Sequence, residues 1–196
     1  MTAQIVLGDI TIQQIVEQQG PIFDVFEFFP ALTPEVLAEN RDWLEPRFID
    51  PATQQVILCV QSYIVRTPHH TILIDCCVGN HKHRPSRPAW DMMNGQQYEA
   101  TFKAAGLTFD DIDFVMCTHL HTDHVGWNTK LDNGRWVPTF PNARYVFADR
   151  ELSFWSERAA ASPESCPWMM DSVLPIVDAN KAEIVTSHHC LNDHVR

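Results

Sequence analysis

Four candidate metal ligands fall within six residues, in the run His119-Leu120-His121-Thr122-Asp123-His124. Imidazole nitrogens and a carboxylate are donor types that Zn²⁺ and similar divalent ions accept. Val115 and Met116, just upstream, read as part of a strand, so His119 and His121 lie on its extended continuation. Residues two apart on extended backbone project to the same side. A turn after His121 lets Asp123 and His124 face the same point from the other direction. Backbone sterics oppose wrapping all four around one ion, so two adjacent ions taking two ligands each is the expected arrangement. The competing reading, a polar loop of satisfied histidines, needs a partner for every buried ring nitrogen.

Those residues need a scaffold. Residues 4–17 alternate and are rich in Ile and Val, which predicts a strand pair or a bent strand broken near Gly8. The stretch from Gly20 to Pro51 holds five prolines and the cluster Phe23, Phe26, Phe28 and Phe29, and reads as an excursion from the sheet. Within it a helix is expected from Pro34 to about Leu44, capped by Thr33, with Val36, Leu37, Asn40, Trp43 and Leu44 on one face. Residues 55–66 and 71–75 form an expected hairpin, and a helix near 96–105 ends at Gly106. Strands at 113–117, 143–147 and 183–186 alternate with helices at 149–158, capped by Asp149, and near 168–179. Hairpins first and alternation afterwards predict a mixed α/β sheet with helices packed on it, in one domain over residues 1–196.

Composition narrows the partners. The formal net charge is −11, with 45% hydrophobic and 20% charged residues, as in an ordinary globular protein. Nucleic-acid binding draws its affinity from Lys and Arg, so an acidic chain points away from a polyanion and toward a small-molecule substrate. The N-terminus has no basic n-region, and no uncharged apolar run approaches the roughly 20 residues needed to span a bilayer. The six cysteines form no CxxC pair; Cys59, Cys76 and Cys117 sit in strand-like runs, where a reduced thiol acts as a small hydrophobe. A cytoplasmic, reduced protein is expected.

CTHLHTDHVGW resembles the HxHxDH motif of the metallo-β-lactamase superfamily, an αββα sandwich of mixed α/β (α+β) type. ILIDCCVGN resembles the strand whose closing Asp lies beside the metals, and FPNARYVFADRELSFW the strand and helix after the motif. HTDHVGWNT with a long N-terminal excursion is most similar to the lactonase and organophosphate-hydrolase branch. The resemblance implies that His119 and His121 bind one metal, Asp123 and His124 a second, and Asp75 holds the ligands in order. It implies two divalent ions, Zn²⁺ first and Fe or Mn as alternatives. Lactones, esters or phosphotriesters would be hydrolysed by a hydroxide held between them, with Asp123 relaying a proton.

The family adds further ligands from a C-terminal half, and this chain reaches HHCLNDHVR without a GHTPGH-like segment. The expectation is therefore an incomplete sandwich with one sheet face uncovered and two protein ligands per metal. Candidate substitutes are His188, His189, Asp193 and His194, which read as solvated residues near a terminus. A partner chain, as in a homodimer, is another route to completion. An inactive chain serving as an interaction module is the alternative function, and a nuclease is disfavoured by the charge. Trp90, Met92, Met93 and Trp127 are candidates for a substrate pocket or for plain core. His81 and His83 sit among Lys82, Arg84 and Arg87 in what reads as a solvated basic loop near the cleft mouth.

Overall fold

A computed structural model of the chain describes residues 4–191. The elements run β1 (Gln4–Leu7), β2 (Ile10–Asp24), α1 (Val25–Phe28), α2 (Pro34–Leu44), β3 (Gln55–Arg66), β4 (Thr71–Ile74), α3 (Gln97–Ala104) and β5 (Phe114–Met116). Then come α4 (Thr122–Val125), β6 (Thr129–Asp132), β7 (Arg135–Pro138), β8 (Arg144–Ala148), α5 (Asp149–Ala161), α6 (Leu174–Asp178) and β9 (Ala182–Val185). Seven strands form one mixed sheet in the order β1-β2-β3-β4-β5-β8-β9. The first four pair antiparallel, β2 and β3 across the excursion that carries α1 and α2 and the others through short turns; β4, β5, β8 and β9 pair parallel, each crossover carrying helices.

Register places the core. Ile64, Leu73, Val115 and Tyr145 are successive cross-strand partners and all are fully buried. Tyr98 and Phe102 of α3 join the same cluster, with Ala159 of α5 and Ile176 of α6. The neighbouring row, Tyr63, Ile74 and Met116, faces the other way and is partly exposed. A second, small cluster of Val25, Leu37, Ile49 and Val56 anchors α2.

Several expectations change. β2 continues through Gly20 and Pro21 to Asp24, so the excursion starts later than Gly20. Among the described residues β1 pairs with β2 only as far as Gln13, so Pro21 lies where β3 is the one strand neighbour of β2. α2 has the predicted bounds and its Thr33 cap, yet Val36 and Trp43 are exposed and only Leu37 is buried. Asp149 is the first residue of α5, not its cap; its carboxylate accepts from Arg150 N instead. The hairpin of β6 and β7 is additional to the expected elements, although Asn133 and Gly134, both at positive φ, are its turn signal.

The basic loop is the largest correction. Lys82 and Arg84 are buried, not solvated. Arg84 makes a two-pronged contact with Asp171, at 2.7 and 2.8 Å, and Lys82 donates to Thr129 Oγ1 at 2.6 Å and to the Asp171 carbonyl at 3.0 Å. Lys82 also stands 3.6 Å from the Trp136 ring centroid. Asp171 lies in a one-turn π-helix, Met169–Val173, so a carboxylate distant in sequence turns this loop inward. His81 and His83 remain exposed, and His83 Nδ1 meets Asp91 Oδ1 at 3.0 Å.

Candidate metal centre

After β5 the chain bends at Thr118, His119 and His121, so the expected extended continuation is replaced by a bent loop, and α4 starts at Thr122. The rings of His119 and His121 lie 4.5 Å apart, centroid to centroid, and those of His119 and His124 4.0 Å apart. His124 Nε2 lies 3.5 Å from Asp123 Oδ2. The four motif side chains thus gather at the end of β5.

Asp75 organises them. One carboxylate oxygen accepts from Thr118 N at 2.7 Å, and the other lies 2.9 Å from His124 Nδ1. With a proton on Nδ1 for that contact, the Nε2 lone pair is left for a cation. The backbone reinforces the arrangement: Cys76 N donates to His124 O, Gly126 N to Cys77 O and Trp127 N to Cys76 O, at 2.7–2.8 Å.

The electrostatics differ across the motif, favouring charge on His124 and Asp123 and opposing it on His119. Burial opposes charging the His124 ring, but hydrogen bonds to Asp123 and Asp75 outweigh it and push its pKa up to about 9. Burial likewise opposes ionising Asp123, yet the contact with His124 outweighs it and holds the carboxyl below the usual carboxylate range. Burial, followed by the neighbouring imidazoles His124 and His121, lowers the pKa of His119.

The donor types suit a divalent cation, but their number does not close a coordination shell. Among the described residues no three His, Cys, Asp or Glu side chains converge as a metal site. His188 is exposed, and His189 Nε2 lies 3.4 Å from Glu183 Oε1 beside β9. Asp193 and His194 lie outside the described residues.

A cavity of about 790 Å³ opens onto the motif and is walled there by His121, Thr122, Asp123, His124 and Asp75. Phe28, Leu58, Val60, Trp90 and Trp168 add apolar surface to its wall. Trp90 is the expected pocket residue that lines it; Met93 packs against the core, and Met92 is exposed. Trp127 is stacked on Tyr98 at 4.8 Å, away from the cavity wall. Cys59 is exposed on the wall, unlike the buried Cys76 and Cys77.

Two supports lie outside the residues flagged from sequence. Glu151 Oε2 accepts from Leu120 N at 2.9 Å, and Trp168 Nε1 donates to Leu120 O at 2.7 Å, so the residue between His119 and His121 is held at both backbone groups. Arg84 Nε donates to Thr122 Oγ1 at 2.7 Å, tying α4 to Asp171. Neither has a local sequence signal, because each partner is more than thirty residues away.

The family model of the metallo-beta-lactamase superfamily matches residues 60–191, which include the whole motif and Asp75. The chain belongs to that superfamily. A search among curated proteins found no match. Solved structures agree in fold. A hydrolase of the β-lactamase superfamily, AbOPH, superposes with a TM-score of 0.72 at 18% identity, covering 97% of this chain and 62% of its own. A probable metal-dependent hydrolase from Staphylococcus aureus gives 0.70 at 21% identity, over 96% and 63% of the two chains. AidC, a dizinc quorum-quenching lactonase in complex with a product, gives 0.68 at 20% identity, over 97% and 63%. The chain therefore spans less than two thirds of the length of these relatives. Among the described residues no helix is long and apolar enough to cross a membrane.

Proposed function

We propose that this chain carries the motif half of a metal-dependent hydrolase acting on a small-molecule lactone, ester or phosphotriester. The observation that carries the reading is the gathering of His119, His121, Asp123 and His124, the last three of them lining the cavity, with Asp75 holding the His124 ring by Nδ1. His119 and His121 would hold one divalent ion and Asp123 and His124 a second, zinc leading on the donor types. Such ions, when bound, would polarise a carbonyl or phosphoryl oxygen. Asp123, ionised and open to the cavity, would take up or pass on a proton. Phe28, Leu58 and Trp90 would receive the apolar part of a substrate. The similarity to AbOPH and AidC, named as a hydrolase and a lactonase, supports the same class. Net charge −11 favours a small molecule over a nucleic acid. The free thiols, four of them outside solvent-exposed positions, fit the reducing cytoplasm.

A second reading, a non-catalytic chain acting through contacts with a partner, is favoured by the lack of three converging donors among the described residues. Metal content separates the two. Purified, desalted protein is analysed by mass spectrometry beside a His121→Ala/Asp123→Ala double variant, with turnover of an aryl ester, a lactone and a phosphotriester. Retained divalent metal, lost in the variant together with turnover, supports the hydrolase. A chain that keeps no metal and turns over none of the three supports the non-catalytic reading.

A further inference from the structure

Glu17 is a buried carboxylate with no part in the site as described so far. It stands at a β-bulge: Val16 pairs with Gln61 and Gln18 with Val60, leaving Glu17 between them without a strand partner. Bulges re-aim side chains, and this one sends Glu17 inward, where it is 7% exposed. There it accepts three hydrogen bonds, from Val78 N at 2.8 Å, Gly79 N at 3.0 Å and Trp127 Nε1 at 2.5 Å. Burial raises its pKa, and those three donors oppose the shift.

The segment it grips is the one that aims Asp75. Asp75, Cys77 and Gly79 all have left-handed backbone, with φ of 59°, 47° and 80°. Such conformations in non-glycine residues persist only where the surroundings enforce them. Amides presented by such a loop form an anion-binding concavity, and here the anion is the protein's own side chain. The second point of grip, Trp127, follows the motif helix and bonds back through its N–H to Cys76 O. One carboxylate therefore joins the loop that bears Asp75 to the segment that follows His124.

We propose that Glu17 is a positioning residue for the motif, locking the loop after Asp75 so that the carboxylate of Asp75 meets His124. A residue that only filled space would need no charge, and burying a carboxylate is unfavourable unless its partners are fixed. The contact it secures is internal to the chain, so the claim goes beyond the hydrolase reading; only the zinc measurement below rests on that reading.

The test is Glu17→Gln, which keeps the shape and sets an amide N–H₂ against one of the donors. Leu37→Ala, in the separate cluster under α2, is the control for general destabilisation. Proton NMR follows the Nδ1–H resonance of His124, and hydrogen exchange follows the Thr118 amide, which is bonded to Asp75. In Glu17→Gln the His124 resonance shifts or broadens and Thr118 exchanges at least about tenfold faster, while Leu37→Ala at matched stability changes neither. Should Glu17→Gln not fold, Trp127→Phe removes one of the three donors and moves the same two signals in the same direction. Unchanged signals in the folded variant, or equal changes in Leu37→Ala, overturn the proposal. Zinc affinity, read by competition with a coloured chelator, falls about tenfold in Glu17→Gln. A wild-type chain that takes no zinc counts against the hydrolase reading alone, and the NMR result still decides the role of Glu17.

Discussion

His124 Nδ1 lies 2.9 Å from Asp75 Oδ2, a contact between residues forty-nine positions apart. It orients the last ring of the motif from outside the motif. Replacing Asp75 by Asn keeps the volume but removes the charge and one acceptor. Zinc affinity is expected to fall about 10- to 100-fold, the usual cost of losing such a partner. Calorimetric titration of both proteins measures this, and equal affinities would show that Asp75 does not govern the ring.

Lys82 supplies a pH dependence. Burial, and then the nearby Arg84, lowers its pKa from 10.5 to about 7 despite the attraction of Asp171. Between about 7 and 10.5 the unfolded chain holds a proton at this lysine that the folded chain has released. The unfolded state binds more protons there, so the Lys82 contribution makes stability rise with pH across that window. The slope from one group is at most about 1.4 kcal/mol per pH unit. Urea unfolding at several pH values should show this rise in wild type relative to Lys82→Met; parallel curves would contradict it.

Removing Asp171 leaves the buried Arg84 guanidinium, with Lys82 beside it, without its carboxylate. Asp171→Asn is expected to destabilise by about 3–5 kcal/mol. Because Arg84 also holds Thr122, α4 should loosen first, seen as faster amide exchange over residues 122–125 than elsewhere. Uniform exchange would mean that the cluster stabilises the fold without bearing on the motif.

Gly126 faces backbone. A Cβ there would lie 1.7 Å from Val78 O and 1.9 Å from its carbonyl carbon, and no side chain can move aside to relieve that. Gly126→Ala is expected to prevent folding or to cost more than about 4 kcal/mol. Gly134, at φ +77° with open space around its Cβ position, is the comparison, with a cost of about 1 kcal/mol for Gly134→Ala. Thermal unfolding of the pair should separate them widely.

Trp168→Phe keeps an aromatic ring but leaves the carbonyl of buried Leu120 without its donor. An unsatisfied buried acceptor costs about 1–3 kcal/mol. A loss under about 0.5 kcal/mol on denaturant unfolding would show that Leu120 finds another donor.

Much of the architecture was legible in the residue pattern. Alternation in QVILCVQSYIVR and TILID predicts a hairpin that forms as β3 and β4, because period-two burial is a local property of the strand. Thr33-Pro34 marks the start of α2, and Gly106 follows the end of α3, since capping also acts within a turn or two. Outward-facing Val36 and Trp43 show the limit: periodicity gives a face, not what lies opposite.

What the sequence determined by itself is the superfamily motif, with its four donors on one strand end and the turn that follows. Only the tertiary structure decided that Lys82 and Arg84 are buried on Asp171, that Glu151 and Trp168 hold Leu120, and that Glu17 holds the loop beyond Asp75. Each of these joins residues 31 to 89 positions apart. Such contacts exist only once the sheet register and the crossovers have brought the segments together, and no local propensity encodes them.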